Sequence, residues 1–294
     1  MNTTNFSKEF LNNQAKKTSS LREKIECYQK IIELDFDDAD VFFNLGNIYS
    51  AFDENKSKKY WEMSVHRYTK KIEAFKEDAS TYLKQSRKTE SLKIEVKDAC
   101  THLKQSHDAE LPKIELKDAF YAIGQCYYDL GDVYSCLGKY SQASDSYKKA
   151  FEMDPEQVDC LYEIGNALWN DEKPDESKKY ILEFIEKQST YQAHYLLGLI
   201  YARENSVLAA LKEFWICVEN KQDDSNSDYY RARAYHCLGN ARLTEKYFKR
   251  SILRDPENVG LMYELIEHYE ANGEGKKAHE YYQRIEAKKK TLEA

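Results

Sequence analysis

Cys100, His102 and His107 are the nearest thing to a metal-ligating set in this chain of 294 residues. On a helix Cys100 and His107 share a face while His102 points elsewhere, so the three do not converge on one ion. The seven cysteines (Cys27, Cys100, Cys126, Cys136, Cys160, Cys217 and Cys237) contain no CxxC pair and are odd in number. No glycine-rich phosphate loop, HExxH or GxSxG occurs, and no Asp/Glu pair stands out as an acid–base couple. The expectation is a protein without catalytic residues, metal or cofactor. What the sequence does offer is tyrosine, 24 of them against 12 phenylalanines. Tyr128, Tyr162, Tyr195, Tyr229 and Tyr263 follow one another at steps of 34, 33, 34 and 34 residues. Such a row presents flat apolar area with a hydroxyl at its rim, which is the chemistry of recognition rather than of bond-making.

The elements that must carry this row are helices. In residues 124–157 Tyr127, Leu130, Gly131 and Tyr134 lie on one helical face, and Ala143, Tyr147 and Ala150 on another. Gly138 marks the break between them, and Asp154-Pro155 ends the second, because the residue before proline is pushed out of helical geometry. These residues, at these offsets, resemble a tetratricopeptide (TPR) repeat, a motif of about 34 residues with a bulky residue, Leu-Gly, Tyr, Ala, an aromatic, Ala and Pro at fixed places. The resemblance implies an all-α, right-handed solenoid of stacked antiparallel helix pairs, a TPR superhelix.

Stepping by the repeat from Gly131 divides residues 124–294 into five units: 124–157, 158–190, 191–224, 225–258 and 259–292. Residues 1–72 read as two N-terminal TPR-like repeats, the first polar on its first helix as a terminal unit should be. Between them the period changes. Trp61, Val65, Tyr68, Ile72, Phe75, Ala79 and Tyr82 form a heptad stripe that predicts one helix of roughly 25–30 residues. Leu92, Val96, Ala99 and Leu103 give a second stripe, and Pro112 stands where a third helix could start. A 20-residue tandem duplication repeats DASTYLKQS of 78–86 at 98–106 and the LKIEVKDA of 92–99 at 112–119. Residues 73–123 read either as an irregular helical insertion or as two divergent repeats with lengthened helices.

Charge narrows the partner. The net charge is −7, and residues 121–183 alone carry thirteen acidic and six basic side chains. That disfavours a nucleic-acid backbone and suits a basic or neutral peptide. Lys56, Lys58, Lys59, Arg67, Lys70 and Lys71 form the opposite bias, read as a solvated helix face or, in an RNA-binding alternative, as a phosphate contact. Mean hydropathy of −0.80, no apolar run near the ~18 residues of a membrane span, no secretory signal and unpaired cysteines together predict a cytoplasmic protein, with the nucleus left open.

In the family the first helices line a concave groove, and positions 2, 5, 9 and 12 of each unit face it. The resemblance therefore nominates Phe43, Tyr128, Tyr162, Tyr195, Tyr229 and Tyr263 at position 5, either touching a ligand or packing the repeats. Asn47, Asp132, Asn166, Arg233 and Glu267 stand at the variable position 9, with Asn44 at position 6. The implied function is a non-enzymatic scaffold or adaptor binding a partner peptide or helix. A chaperone adaptor gripping a C-terminal carboxylate is an alternative: Asn13 and Asn44 fall at matching places, but Glu9 stands where the first lysine belongs, with Lys8 one residue off. The C-terminal end, at Lys288-Lys289-Lys290, either pairs with another molecule or is solvated by those lysines.

Overall fold

The computed structural model describes residues 3–34, 38–51, 53–86, 110–219 and 227–293. Within them run fourteen helices and no strand. They are α1 (Thr3–Lys17), α2 (Leu21–Glu33), α3 (Ala39–Tyr49), α4 (Glu54–Ser86), α5 (Glu110–Cys136), α6 (Tyr140–Met153) and α7 (Asp159–Asn170). After these come α8 (Pro174–Lys187), α9 (Tyr191–Arg203), α10 (Val207–Glu219), α11 (Ser227–Cys237), α12 (Ala241–Arg254), α13 (Val259–Ala271) and α14 (Gly275–Glu293). The chain divides into two units, Met1–Asp171 and Glu172–Ala294. In each, every helix packs on its neighbour in sequence, α1 through α7 in unit 1 and α8 through α14 in unit 2. This is the all-α solenoid packing that the repeat implies.

One contact recurs inside the helix pairs, and its cause is steric. A Cβ on Gly131 of α5 would lie 2.5 Å from the ring of Tyr147 on α6. On Gly198 of α9 it would lie 2.7 Å from Phe214 of α10. The same step of sixteen residues separates Ala232 from Phe248, which share a core. In each pair the small residue on the first helix opens a socket for the aromatic on the second. The pair α3/α4 keeps the device with a shorter step, since Trp61 fills the socket over Gly46. That is where the second repeat leaves the sequence pattern.

The turns are equally regular. At Gly138 (φ 68°) the chain turns left-handed, while the Gly138 and Lys139 amides donate to the carbonyls of Ser135 and Tyr134 at 3.0 and 2.9 Å. Gly239 and Gly273 share this geometry, and so do Glu172 (φ 59°) and Asn205 (φ 57°). The five form one series at the repeat step, although only three of them are glycine.

The heptad stripe lies in a helix of 33 residues, α4, longer than its three heptads suggest. Trp61, Val65, Tyr68, Ile72 and Phe75 pack against Ile123, Cys126, Tyr127, Leu130 and Val133 of α5. The lengthened helices α4 and α5 thus share one core. Helix α4 continues without interruption past residue 72, and α5 runs from Glu110, with Pro112 in its first turn, past residue 123. The stripe Leu92–Leu103, the duplicated blocks at 92–99 and 98–106, and Cys100, His102 and His107 lie outside the described residues. The six described cysteines are free thiols, with Cys27, Cys126, Cys160 and Cys217 buried. Burial holds Cys160 and Cys217 at pKa values near 12. Among the described residues no helix is long and apolar enough to cross a membrane, and no group of three His, Cys, Asp or Glu is placed to hold a metal ion.

Candidate functional site

In unit 1 the nominated residues sit on α3, α5 and α7. Phe43 is half-buried against the α4/α5 core. Asn44 is half-buried, while Asn47 is exposed and accepts a hydrogen bond from the Trp61 indole at 2.9 Å. On α5, the Tyr128 ring stands edge-on to Tyr147 at 5.4 Å. Asp132 accepts the Tyr147 hydroxyl proton at 2.7 Å, so it both buttresses the helix pair and remains half-buried. Tyr162 and Asn166 are half-buried on α7, where the Asn166 side-chain oxygen accepts from Asn170 at 3.3 Å.

Two neighbours outside the nominated set, both at position 6, make this face chemically distinctive. Asp129 and Glu163 flank Asp132. Burial, with Asp132 and Asp159 close by, pushes Glu163 up to about 7 despite a hydrogen bond from Asn166. Burial also pushes Asp129 up to about 6; Gln125 donates to it at 2.8 Å and opposes the shift, while Asp40 and Asp132 add to it. Asp132 is raised too, chiefly by burial. Half-buried carboxylates that repel one another hold their charge at a cost, and a cation beside them relieves it. The available signal was the recurrence of an acid at position 6 in Asp129, Glu163 and Glu264.

In unit 2 the row is tied together. The Tyr195 and Tyr229 hydroxyls are hydrogen-bonded to one another, and Tyr229 donates onward to Glu264 at 3.0 Å. Arg233 donates through Nη1 to the other Glu264 oxygen at 2.7 Å, while its buried Nε has no protein partner. The Tyr195 and Tyr229 rings also pack on Phe214 and Phe248, at 5.8 and 6.1 Å. Both tyrosines therefore contribute to packing, and burial raises both hydroxyl pKa values. Tyr263 (40% exposed) and Glu267 remain open to solvent on α13. Of the carboxylate-clamp positions, Lys8 is ion-paired with Asp38 and Asn13 is exposed.

The comparisons agree with this architecture. The TPR repeat model matches residues 131–171, and a second tetratricopeptide repeat model matches residues 162–214. No curated protein sequence gives a significant match. Among solved structures, the apo form of RapI is 14% identical and superposes over 99% of each chain with a TM-score of 0.63, a likeness of fold alone. MamA (19% identity, 56% of this chain and 97% of that chain, TM-score 0.40) matches more weakly. So does PilF of Pseudomonas aeruginosa (15%, 59% and 78%, 0.45). With both repeat models seated on helix pairs that carry the glycine–aromatic sockets and left-handed turns described above, the chain is a tetratricopeptide-repeat protein.

Proposed function

We propose that the chain is a protein-interaction scaffold whose acidic face in unit 1 takes up a partner segment through a basic side chain. Tetratricopeptide repeats support interaction with proteins in general; the acidic face supports the finer reading. The observation that carries it is the run Asp129, Asp132 and Glu163 on successive first helices, with two of the three acids held near pH 6 and 7 by burial and mutual repulsion. Tyr128 and Tyr162 stand in the same rows and offer flat contact area to the aliphatic stem of a lysine or arginine. A lysine or arginine of the partner compensates the acids, and no catalytic step is needed. Within unit 2, Tyr195, Tyr229, Arg233, Tyr263 and Glu267 offer a separate candidate surface of different chemistry, a tyrosine hydroxyl chain beside a guanidinium–carboxylate pair.

A random peptide library panned against the full chain at pH 8 tests this directly. Enriched peptides are expected to carry lysine or arginine, and to be lost from a parallel selection on the Asp129→Asn/Glu163→Gln variant. A cation stabilises the ionised carboxylates, so affinity should rise as pH increases from about 5.5 to 8, with protons released on binding. Selections with no basic bias, or the same peptides recovered on the variant, would falsify the reading.

A further inference from the structure

Over one helix pair of unit 2, α11 and α12, the charge bias is positive. Residues 227–255 carry seven basic and three acidic side chains. On α12, Arg242, Lys246 and Arg250 recur at every fourth residue and all are exposed, so they form one stripe along the helix. Like charges at this spacing repel. The single acid of α12, Glu245, does not offset them, because it is committed to Lys249, Lys277 and the Tyr269 hydroxyl. The carboxylate that does reach the stripe comes from α11. Asp228 is fully buried; Arg231 donates to its Oδ1 at 3.0 Å, while Arg250 Nε and Arg254 Nη2 pair with its Oδ2 at 3.2 and 3.3 Å. Arg254 has a further contact and is left out of the count. Among the described residues, Arg231, Arg242, Lys246 and Arg250 have no carboxylate partner but Asp228. Even with Asp255 at the end of α12 counted against these four, two positive charges remain in excess.

Two tyrosines hold the cations in place. Tyr247 stacks on Tyr235 of α11, with ring centres 5.4 Å apart and planes 6° from parallel. The Lys246 ammonium and the Arg250 guanidinium each lie 5.5 Å from the centre of the Tyr247 ring. Cations already seated on a ring lose less freedom when a ligand arrives.

We propose that this stripe binds an extended acidic segment of a partner protein. Four residues of helix rise about 6 Å, and side chains on one side of an extended chain repeat about every 6.6 Å. Aspartate or glutamate at alternate positions of such a segment therefore meets successive cations. Arg231 and Arg250, with side chains 32% and 46% exposed, keep N–H groups beyond those directed at Asp228 and present them in a fixed fork. The net charge of −7 weighs against a nucleic acid, whose long run of phosphates meets the field of the whole chain.

Fluorescence anisotropy of the full chain with a labelled peptide of alternating glutamate and serine tests this. Binding is expected for that peptide and not for its glutamine counterpart, with affinity falling steeply between about 50 and 200 mM salt. Arg242→Gln/Lys246→Gln removes two exposed cations without touching the Asp228 cluster, and should weaken binding by about tenfold. Lys179→Gln/Lys212→Gln, two exposed cations of α8 and α10, should leave it unchanged. Absence of binding to the glutamate peptide overturns the proposal, and equal loss in the Lys179/Lys212 variant does so by marking a diffuse basic surface. Tighter binding of an oligouridylate of equal charge, lost in the Arg242/Lys246 variant, also overturns it and gives the stripe to nucleic acid.

Discussion

Glu163 shows how a single side chain records the purpose of its face. Burial is the largest cause of its raised pKa, followed by Asp132 and Asp159, while the Asn166 hydrogen bond pulls the other way. Its ordinary value is 4.5 and its folded value is about 7. Between these, the folded chain keeps a proton that the unfolded chain has released, so stability falls as pH rises through that window. Replacing Glu163 by glutamine keeps the shape and removes the charge. The variant should therefore be more stable than the wild type at pH 8 by about 1–3 kcal/mol. Near pH 4.5 the difference should shrink towards zero. Denaturant melts at the two pH values measure this; an equal difference at both would assign the effect to packing and not to charge. In the interaction proposed above, the same carboxylate, left ionised and half-buried, is the charge that a partner's cation would relieve.

At the scale of the helix pair, two glycines seven residues apart fail for different reasons when given a methyl group. At Gly131 the added Cβ meets the Tyr147 ring at 2.5 Å, and that ring is held by its bond to Asp132. Overpacking of this kind costs about 1–3 kcal/mol. At Gly138 nothing lies within 4 Å, and the cost is that of a left-handed backbone, about 1 kcal/mol. Tyr147→Leu should therefore rescue part of the loss in Gly131→Ala and none of the loss in Gly138→Ala. A double-mutant cycle on thermal unfolding reads the difference; equal rescue would dismiss the socket. The socket was legible beforehand, because a small residue and an aromatic sixteen positions apart are both strong signals. The turns at Glu172 and Asn205 were not, since neither residue type announces positive φ as glycine does. Asp129, Glu163 and Glu264 were legible only as an acid recurring one residue after the tyrosine row, and their burial could not be read from that recurrence. The heptad stripe gave the long helix α4 but not its ends, since the helix starts at Glu54, before Trp61, and runs to Ser86, past Tyr82, and these largely polar extensions obey propensity and not periodicity.

Across the whole molecule, stability in an array of this kind is approximately a sum of helix-pair terms and nearest-neighbour terms. The packing within each unit follows sequence order, so a local lesion should spread to adjoining helices before distant ones. Tyr229 provides the lesion. Its hydroxyl joins Tyr195 on α9 to Glu264 on α13, and Tyr229→Phe leaves both without that partner. A buried group left unpaired in this way costs about 1–3 kcal/mol. Native-state hydrogen exchange should accelerate in α9, α11 and α13 of the Tyr229→Phe chain, with the amides of α3 to α6 keeping wild-type rates. Acceleration of the same size in both units would show that the two unfold together. Sequence order, which sets the packing inside each unit, would then not set cooperativity along the chain.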